Sequence, residues 1–357
     1  MAQIAGQAPG NPSSLHWAGR AARRVVDDAR DALAAAAGVE SGSVVFTSGG
    51  TEANNIAIFG WASQFSEPGR IVTSAIEHPS ILKPLQRLEA QGWEVIRVRP
   101  EADGVVDAAA IIDEVNEKTE LVCLMAANNE TGAVQPVQRV AEACRERKVA
   151  LLVDAVQSFG KTSLNLGELG ADFISLSAHK IGGPKGVGAL LVRRGIKIPE
   201  LAPGGGQERG RRSGTENVPG IAGFATALGK IDFEALRGVR DHFEQSLRQA
   251  IPESEIFSLN VPRLPNTSMF GIPGMDGETL LMQLDLAGFA VASGSACSSG
   301  KRDASHVLLA MGVSKALARG SVRASFGPGN SKEDAEALVQ ALKNVRSRLR
   351  TMAGVAA

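Results

Sequence analysis

Ser175-Leu-Ser-Ala-His-Lys180-Ile-Gly-Gly-Pro-Lys-Gly-Val-Gly188 reads as the end of a strand, a polar turn and a glycine-rich return. Upstream, Ala150-Leu-Leu-Val-Asp154 is an apolar strand that stops on an acid. A lysine after Ser-x-His and an acid at a neighbouring strand end are the two groups that pyridoxal phosphate needs. The lysine amine can form a Schiff base with the aldehyde of the cofactor. The acid can keep the pyridine nitrogen protonated, which turns the ring into an electron sink. Ser177 and His179 then face the phosphate. Read alone, Lys180 is a surface lysine beside a tight turn. The pairing with Asp154 weighs against that reading.

Outward from this stretch, residues 43–194 alternate short apolar strands with amphipathic helices. Strands are predicted at 44–46, 70–74, 94–98, 121–126, 150–153, 173–176 and 188–192. Helices are predicted near 18–37, 51–62, 80–91, 137–147 and 217–229. Alternation of this kind implies βαβ units and a largely parallel sheet, with chemistry outside the carboxyl ends of the strands. A second unit begins near residue 231. It is predicted to hold helices at 232–250 and 331–350 and strands at 266–270 and 289–292. The expected division is a large domain over 1–230 and a small domain over 231–357. No internal repeat or low-complexity tract interrupts it.

Several polar residues follow the strands. Thr47-Ser-Gly-Gly50-Thr51-Glu-Ala-Asn-Asn55 opens a helix. Its glycines and the helix N-terminus suit a phosphate ester, and the plain alternative is a capping turn with Thr51 as cap. The loop is no Walker A motif, and G-x-G-x-x-G is absent. Glu77-His78-Pro79-Ser80 offers a histidine that could stack on a ring and move protons, or that simply starts a helix. In Asp154-Ala-Val-Gln157 the amide could reach a ring oxygen. Asn128-Asn129-Glu-Thr-Gly132 could bind substrate or form an Asx turn. Arg323 could make paired bonds to a carboxylate, or be a surface strand arginine. Ser293-Gly-Ser-Ala-Cys297-Ser-Ser-Gly300 sets a thiol in a small-residue loop, where it is expected to be accessible and mobile. Cys123 and Cys144 fall in a strand and a helix and read as packing residues.

Composition bounds the rest. The chain has 357 residues, enough for two cores. Lysine plus arginine and aspartate plus glutamate number 38 each, so the formal net charge is zero, which argues against a polyanion as main ligand. No apolar run approaches the ~20 residues of a membrane helix. The start lacks the pattern of an export signal, and three cysteines make a disulfide framework improbable. These features predict a cytoplasmic protein with no membrane or nucleic-acid partner and no metal site. Tyrosine is absent, so no tyrosine stacks on a cofactor.

Taken together the segments resemble the cysteine desulfurases of the NifS and IscS type, fold-type I enzymes of the class V aminotransferase group that depend on pyridoxal phosphate. The resemblance runs from Asn11-Pro-Ser-Ser-Leu-His16 to about Gly327. It rests on the segments quoted above and on Arg212-Ser-Gly-Thr-Glu-Asn217. Cys297 followed by Ser305-His-Val-Leu308 looks like the long-loop group. The implied fold is α/β, a large domain with a mainly parallel sheet between helices plus a smaller α+β domain. The resemblance implies that Lys180 carries the Schiff base and that His78 stacks on the ring and acts in proton transfer. Asp154 then pairs with the pyridine nitrogen and Gln157 with the ring oxygen. Gly50, Thr51, Ser177 and His179 hold the phosphate. Thr215 reaches the phosphate of a partner subunit, which implies a homodimer. Asn129 and Arg323 bind the substrate carboxylate. Cys297 attacks the sulfur of L-cysteine, becomes a persulfide and passes sulfur to an acceptor or an iron–sulfur scaffold protein, leaving L-alanine. Relatives of this type carry a strand and helix with a Leu-Asp-x-x-Ala-Thr-like motif ahead of Asn-Pro-Ser-Ser, and residues 2–10 do not match it. The expectation is therefore a chain that folds and dimerises but works slowly. The alternatives are a selenocysteine lyase-like enzyme and a truncated, low-activity partner subunit that binds pyridoxal phosphate.

Overall fold

Ala150–Asp154 is buried along its whole length, as a strand covered by helices on both faces must be. The same holds for Phe173–Ser177 and Gly188–Val192. The computed structural model describes residues 1–293 and 304–352, and two units emerge from it. The first comprises Met1–Val98, Asp107–Ala126 and Gln135–Ile231. The second comprises Arg99–Val106, Ala127–Val134 and the chain from Asp232 onward. A single cut along the sequence does not capture this division, because two short segments after strand ends group with the second unit.

In the first unit the strands are β1 (Val44–Thr47), β2 (Arg70–Ser74), β3 (Glu94–Val98), β4 (Thr119–Met125), β5 (Ala150–Asp154), β6 (Phe173–Ser177) and β7 (Gly188–Val192). They form one seven-stranded sheet in the order β1-β7-β6-β5-β4-β2-β3. Pairing is parallel from β3 through β6, and β7 is antiparallel to both β6 and β1. The other strands therefore end along one edge of the sheet. The helices are α1 (Ala2–Gln7), α2 (Trp17–Ala37), α3 (Gly50–Ala62), α4 (Pro79–Glu89), α5 (Ala108–Asp113), α6 (Val137–Arg147), α7 (Leu166–Leu169), α8 (Gln207–Gly210) and α9 (Val218–Ala227). Helix α2 shows why such segments fold. Ala22, Val26, Ala29 and Leu33 recur on one face and are buried. The His16 ring caps its start by accepting from the Gly19 amide, and Gly38 in the left-handed region ends it. Under the sheet, Trp61 packs edge-on against Phe173 with centroids 5.7 Å apart.

The second unit holds α10 (Arg237–Ala250), α11 (Gly277–Leu286), α12 (His306–Ala310), α13 (Lys315–Arg319) and α14 (Lys332–Met352). Its strands β8 (Glu255–Ile256), β9 (Thr267–Gly271), β10 (Ala292–Ser293) and β11 (Ser321–Ser325) form an antiparallel sheet in the order β10-β11-β9-β8. Phe243 of α10 meets Phe270 of β9 and Phe326 at centroid distances of 5.5 and 5.6 Å. These rings anchor a separate core. The strand expected at 289–292 is instead Ala292–Ser293. Residues ahead of it close α11: the Phe289 amide donates to the Leu284 carbonyl, and Gly288 has φ 87°. Among the described residues, no helix is long and apolar enough to cross a membrane.

Candidate active site

The geometry of the first unit begins at the ends of β5 and β6. Their register sets Asp154 beside Ser175. Ser177, at the end of β6, lies opposite Gly188 of β7, and Gly188 lies opposite Thr47 at the end of β1. Gly188 lets these strand ends close up, since a Cβ there would come within 2.7 Å of the Gly49 backbone. The loop after Thr47 is thereby drawn toward Ser177. A Cβ on Gly50, the first residue of α3, would lie 3.8 Å from the Ser177 Cβ. Four residues expected at a phosphate, Gly50, Thr51, Ser177 and His179, thus come from one small region of the sheet edge.

After Ser177 the chain makes a 3₁₀ turn, Ala178–Ile181, that carries His179 and Lys180. Gly182 ends the turn at φ 82°, a conformation that suits glycine. The Ser177 Oγ and the His179 Nδ1 are 2.8 Å apart. Burial and the ammonium groups of Lys180, Lys161 and Lys185 all press the His179 pKa down. Three cations near one imidazole, beside the N-terminus of a 13-residue helix, make a setting that an anion relieves. The phosphate of pyridoxal phosphate fits that chemistry. Thr51 is exposed at the same helix start.

Asp154 is buried, with 7% exposure. Its Oδ2 accepts from Asn54 Nδ2 at 2.9 Å, and its Oδ1 accepts from the Val156 amide at 3.0 Å. Among the described residues Asp154 has no ion-pair partner, and these two donors fix its carboxyl oxygens. This suits an acid that waits for a cationic ring nitrogen. Gln157 lies in the turn that follows, and its Oε1 accepts from Lys161 Nζ at 3.2 Å. His78 is half-buried and caps α4, its Nδ1 accepting from the Ser80 amide at 3.1 Å. Next to it, Glu77 is fully buried. Its Oε1 accepts from Ser74 Oγ at 2.5 Å and from the Met125 amide at 3.0 Å. Burial above all, aided by the Asp154 charge, pushes its carboxyl up to about 8, against the pull of those two donors. Thr215 is exposed, and its hydroxyl has no hydrogen-bond partner among the described residues.

The second unit brings together the two residues expected at the substrate carboxylate. Arg323 on β11 donates from Nη1 to the Asn129 carbonyl at 2.6 Å. Arg323 Nε and Asn129 Oδ1 are both buried without a hydrogen-bond partner. Orphaned polar atoms of this kind are costly unless a ligand satisfies them. Asn128 forms an Asx turn that holds the loop, its Oδ1 accepting from the Glu130 and Thr131 amides. The buried Glu130 accepts from Ser305 Oγ. Burial pushes its carboxyl up to about 7, with Ser305 and Arg323 opposing. Cys297 lies outside the described residues. The other two thiols are enclosed. Burial holds Cys123 far above the ordinary thiol range and pushes Cys144 up to about 12. Neither becomes a thiolate near neutral pH.

Sequence reading assigned no role to Asn54, Glu77, Ser80, Glu130 or Ser305. The signal available for the first was a pair of amides set among apolar helix residues, Ala53-Asn54-Asn55-Ile56-Ala57.

Comparison with known proteins places the chain in a family. The family model for aminotransferase class-V matches residues 2–338. A cysteine desulfurase IscS from Dictyoglomus turgidum is 40% identical over 350 residues, covering 96% of this chain and 89% of the relative. A cysteine desulfurase from a Nostoc species is 39% identical over 349 residues, covering 96% and 87%. Among solved structures, a NifS-like protein superposes with a TM-score of 0.89 at 34% identity, covering 97% of this chain and 93% of the other. SspA in complex with cysteine superposes with a TM-score of 0.83 at 31% identity, covering 92% and 94%.

Proposed function

The chain belongs to the class-V aminotransferase family, and within it to the cysteine desulfurases, and from that premise we infer which of its groups carry the reaction. The enzyme depends on pyridoxal phosphate and converts L-cysteine to L-alanine. When bound, the cofactor supplies an electron sink for the charge that develops on the substrate carbons. Lys180 would be its covalent anchor, and its Nζ would serve as the base for the substrate Cα proton. Asp154 holds the proton on the ring nitrogen. Gln157 orients the ring oxygen. Gly50, Thr51, Ser177 and His179 hold the phosphate. His78 covers the ring face and exchanges its proton at Nε2, because Nδ1 is occupied as an acceptor. Asn129 and Arg323 orient the substrate through its carboxylate. Cys297, as thiolate, takes the substrate sulfur. An S–S bond forms, the substrate C–S bond breaks, and the carbon left behind gains a proton to give alanine.

The observation that carries this reading is the convergence of Asp154, Ser177 and His179 at adjoining strand ends, with three ammonium groups around the imidazole. The persulfide passes to a sulfur-accepting protein of the kind that builds iron–sulfur clusters, and the enzyme acts as a homodimer through Thr215.

Borohydride reduction followed by peptide mass spectrometry tests the anchor. The label is expected on Lys180, and Lys180→Ala should accept none. A label of equal yield on another lysine overturns the assignment. Asp154→Ala should still take up cofactor but lose turnover by at least about 100-fold, the scale of a misplaced catalytic proton. Undiminished turnover would remove Asp154 from the mechanism.

A further inference from the structure

His78 and Asp154 belong to different elements, one capping α4 and the other ending β5, and two buried side chains join them. Asn54, on the buried face of α3, donates from Nδ2 to Asp154 Oδ2 and to Ser80 Oγ, both at 2.9 Å. Ser80 Oγ is 2.7 Å from His78 Nδ1, and the Ser80 amide donates to the same nitrogen at 3.1 Å. Both amide protons of Asn54 are thus committed. A flipped amide would set its oxygen against the carboxylate, so the orientation is fixed. Ser80 Oγ accepts from Asn54, which leaves its single proton for His78 Nδ1. That nitrogen is an acceptor twice over, and the ring proton sits on Nε2.

Packing alone does not explain the amide. Asn54 has 0% exposure and its Oδ1 is buried without a partner. Burying a half-satisfied amide costs more than an apolar side chain of similar size at the same place. We propose that Asn54 and Ser80 are positioning residues that couple Asp154 to His78, so that the acid at the ring nitrogen and the imidazole on the ring face move as one unit. This deepens the reading of Asp154 and His78 given above and rests on it.

Nitrogen-15 spectra of the histidine-labelled full chain decide the matter, with and without pyridoxal phosphate, the His78 signals being assigned through His78→Gln. Wild type should show Nδ1 unprotonated and Nε2 protonated. Asp154→Ala should shift the Nδ1 resonance. That shift should vanish when the same change is made in Asn54→Ala or Ser80→Ala, and return in Ser80→Thr, which keeps the hydroxyl. Each of N54A and S80A should also weaken cofactor retention about tenfold, and the double variant should lose no more than either alone. A shift that persists in both backgrounds, or losses that add, overturns the coupling. If Asp154→Ala instead retains cofactor and turns over cysteine like wild type, the reading of Asp154 fails, while the coupling is still decided by the resonance.

Discussion

A thiol serves sulfur transfer only as a thiolate, and burial decides which cysteine can become one. Cys123 and Cys144 have 0% and 3% exposure and pKa values driven up by their surroundings, which supports the proposal of Cys297 as the attacking sulfur. Cys297→Ser is then expected to bind pyridoxal phosphate and L-cysteine as wild type does, yet release no sulfide. Alkylation with mass mapping after a single turnover checks it, and a persulfide found on Cys123 or Cys144 would refute it. At this scale the sequence is legible wherever a reactive residue directly follows an apolar run. Asp154 and Ser177 end strands, and His179 and Lys180 lie in the turn that follows one, so position alone singles them out. Asn54 and Ser80 do not, because their meaning lies in partners far along the chain. Asn54 meets Asp154 across 100 residues and Ser80 across 26. No local pattern encodes such a contact.

The connection from β2 to α4 is an element with its own pH dependence. Glu77 sits there with Ser74 on its own strand end, the Met125 amide from β4, Asp154 from β5 and the Cys123 thiol as its polar surroundings. Its carboxyl titrates near 4.5 in the unfolded chain and at about 8 in the folded one. The folded state therefore keeps a proton that the unfolded chain gives up. The stability linked to Glu77 is complete below pH 4.5 and is lost as pH rises through about 8. Glu77→Gln removes this titration. Wild type should accordingly lose stability relative to the variant across that window, by on the order of a few kcal/mol. Urea midpoints of the two proteins at a series of pH values measure it, and a difference that stays flat counts against a buried, protonated Glu77. Elements differ in legibility for a related reason. Doubly covered strands such as β5 are continuous apolar runs with no other reading. Helix α11 is short, and its buried Gly277, Leu280 and Leu284 share the helix with the exposed Met282 and Leu286. Its start is marked by the Asp276 side chain accepting from the Thr279 amide, a cap that reads equally well as a turn.

At the scale of the whole molecule, the second unit gathers Arg99–Val106 and Ala127–Val134 along with the chain after Ile231. Composition changes little at those crossings, so a division at one point was all the sequence suggested. The proposed homodimer turns on the loop that carries Thr215. That loop is anchored from within: Glu208 is buried, accepts from both terminal nitrogens of Arg30 at 2.8 and 2.7 Å and from the Phe46 amide at 2.9 Å. Glu208 and Arg209 hold φ of 50° and 60°, a conformation that costs on the order of 1 kcal/mol or more per residue outside glycine. A strained, clamped loop that ends in an exposed threonine is suited to reach another chain. If Thr215 completes the partner's phosphate site, Lys180→Ala and Thr215→Ala should complement each other. Each homodimer is defective, the first lacking the anchor and the second binding cofactor weakly. In a mixed dimer, the Thr215→Ala chain still owns Lys180 and receives an intact Thr215 from its Lys180→Ala neighbour, so one site is whole. Unfolding and refolding the two variants together at limiting pyridoxal phosphate should therefore restore activity above the sum of the parents, toward a quarter of the wild-type rate when chains pair at random. If Thr215 instead serves its own chain, no mixed dimer contains a whole site, and mixing restores nothing.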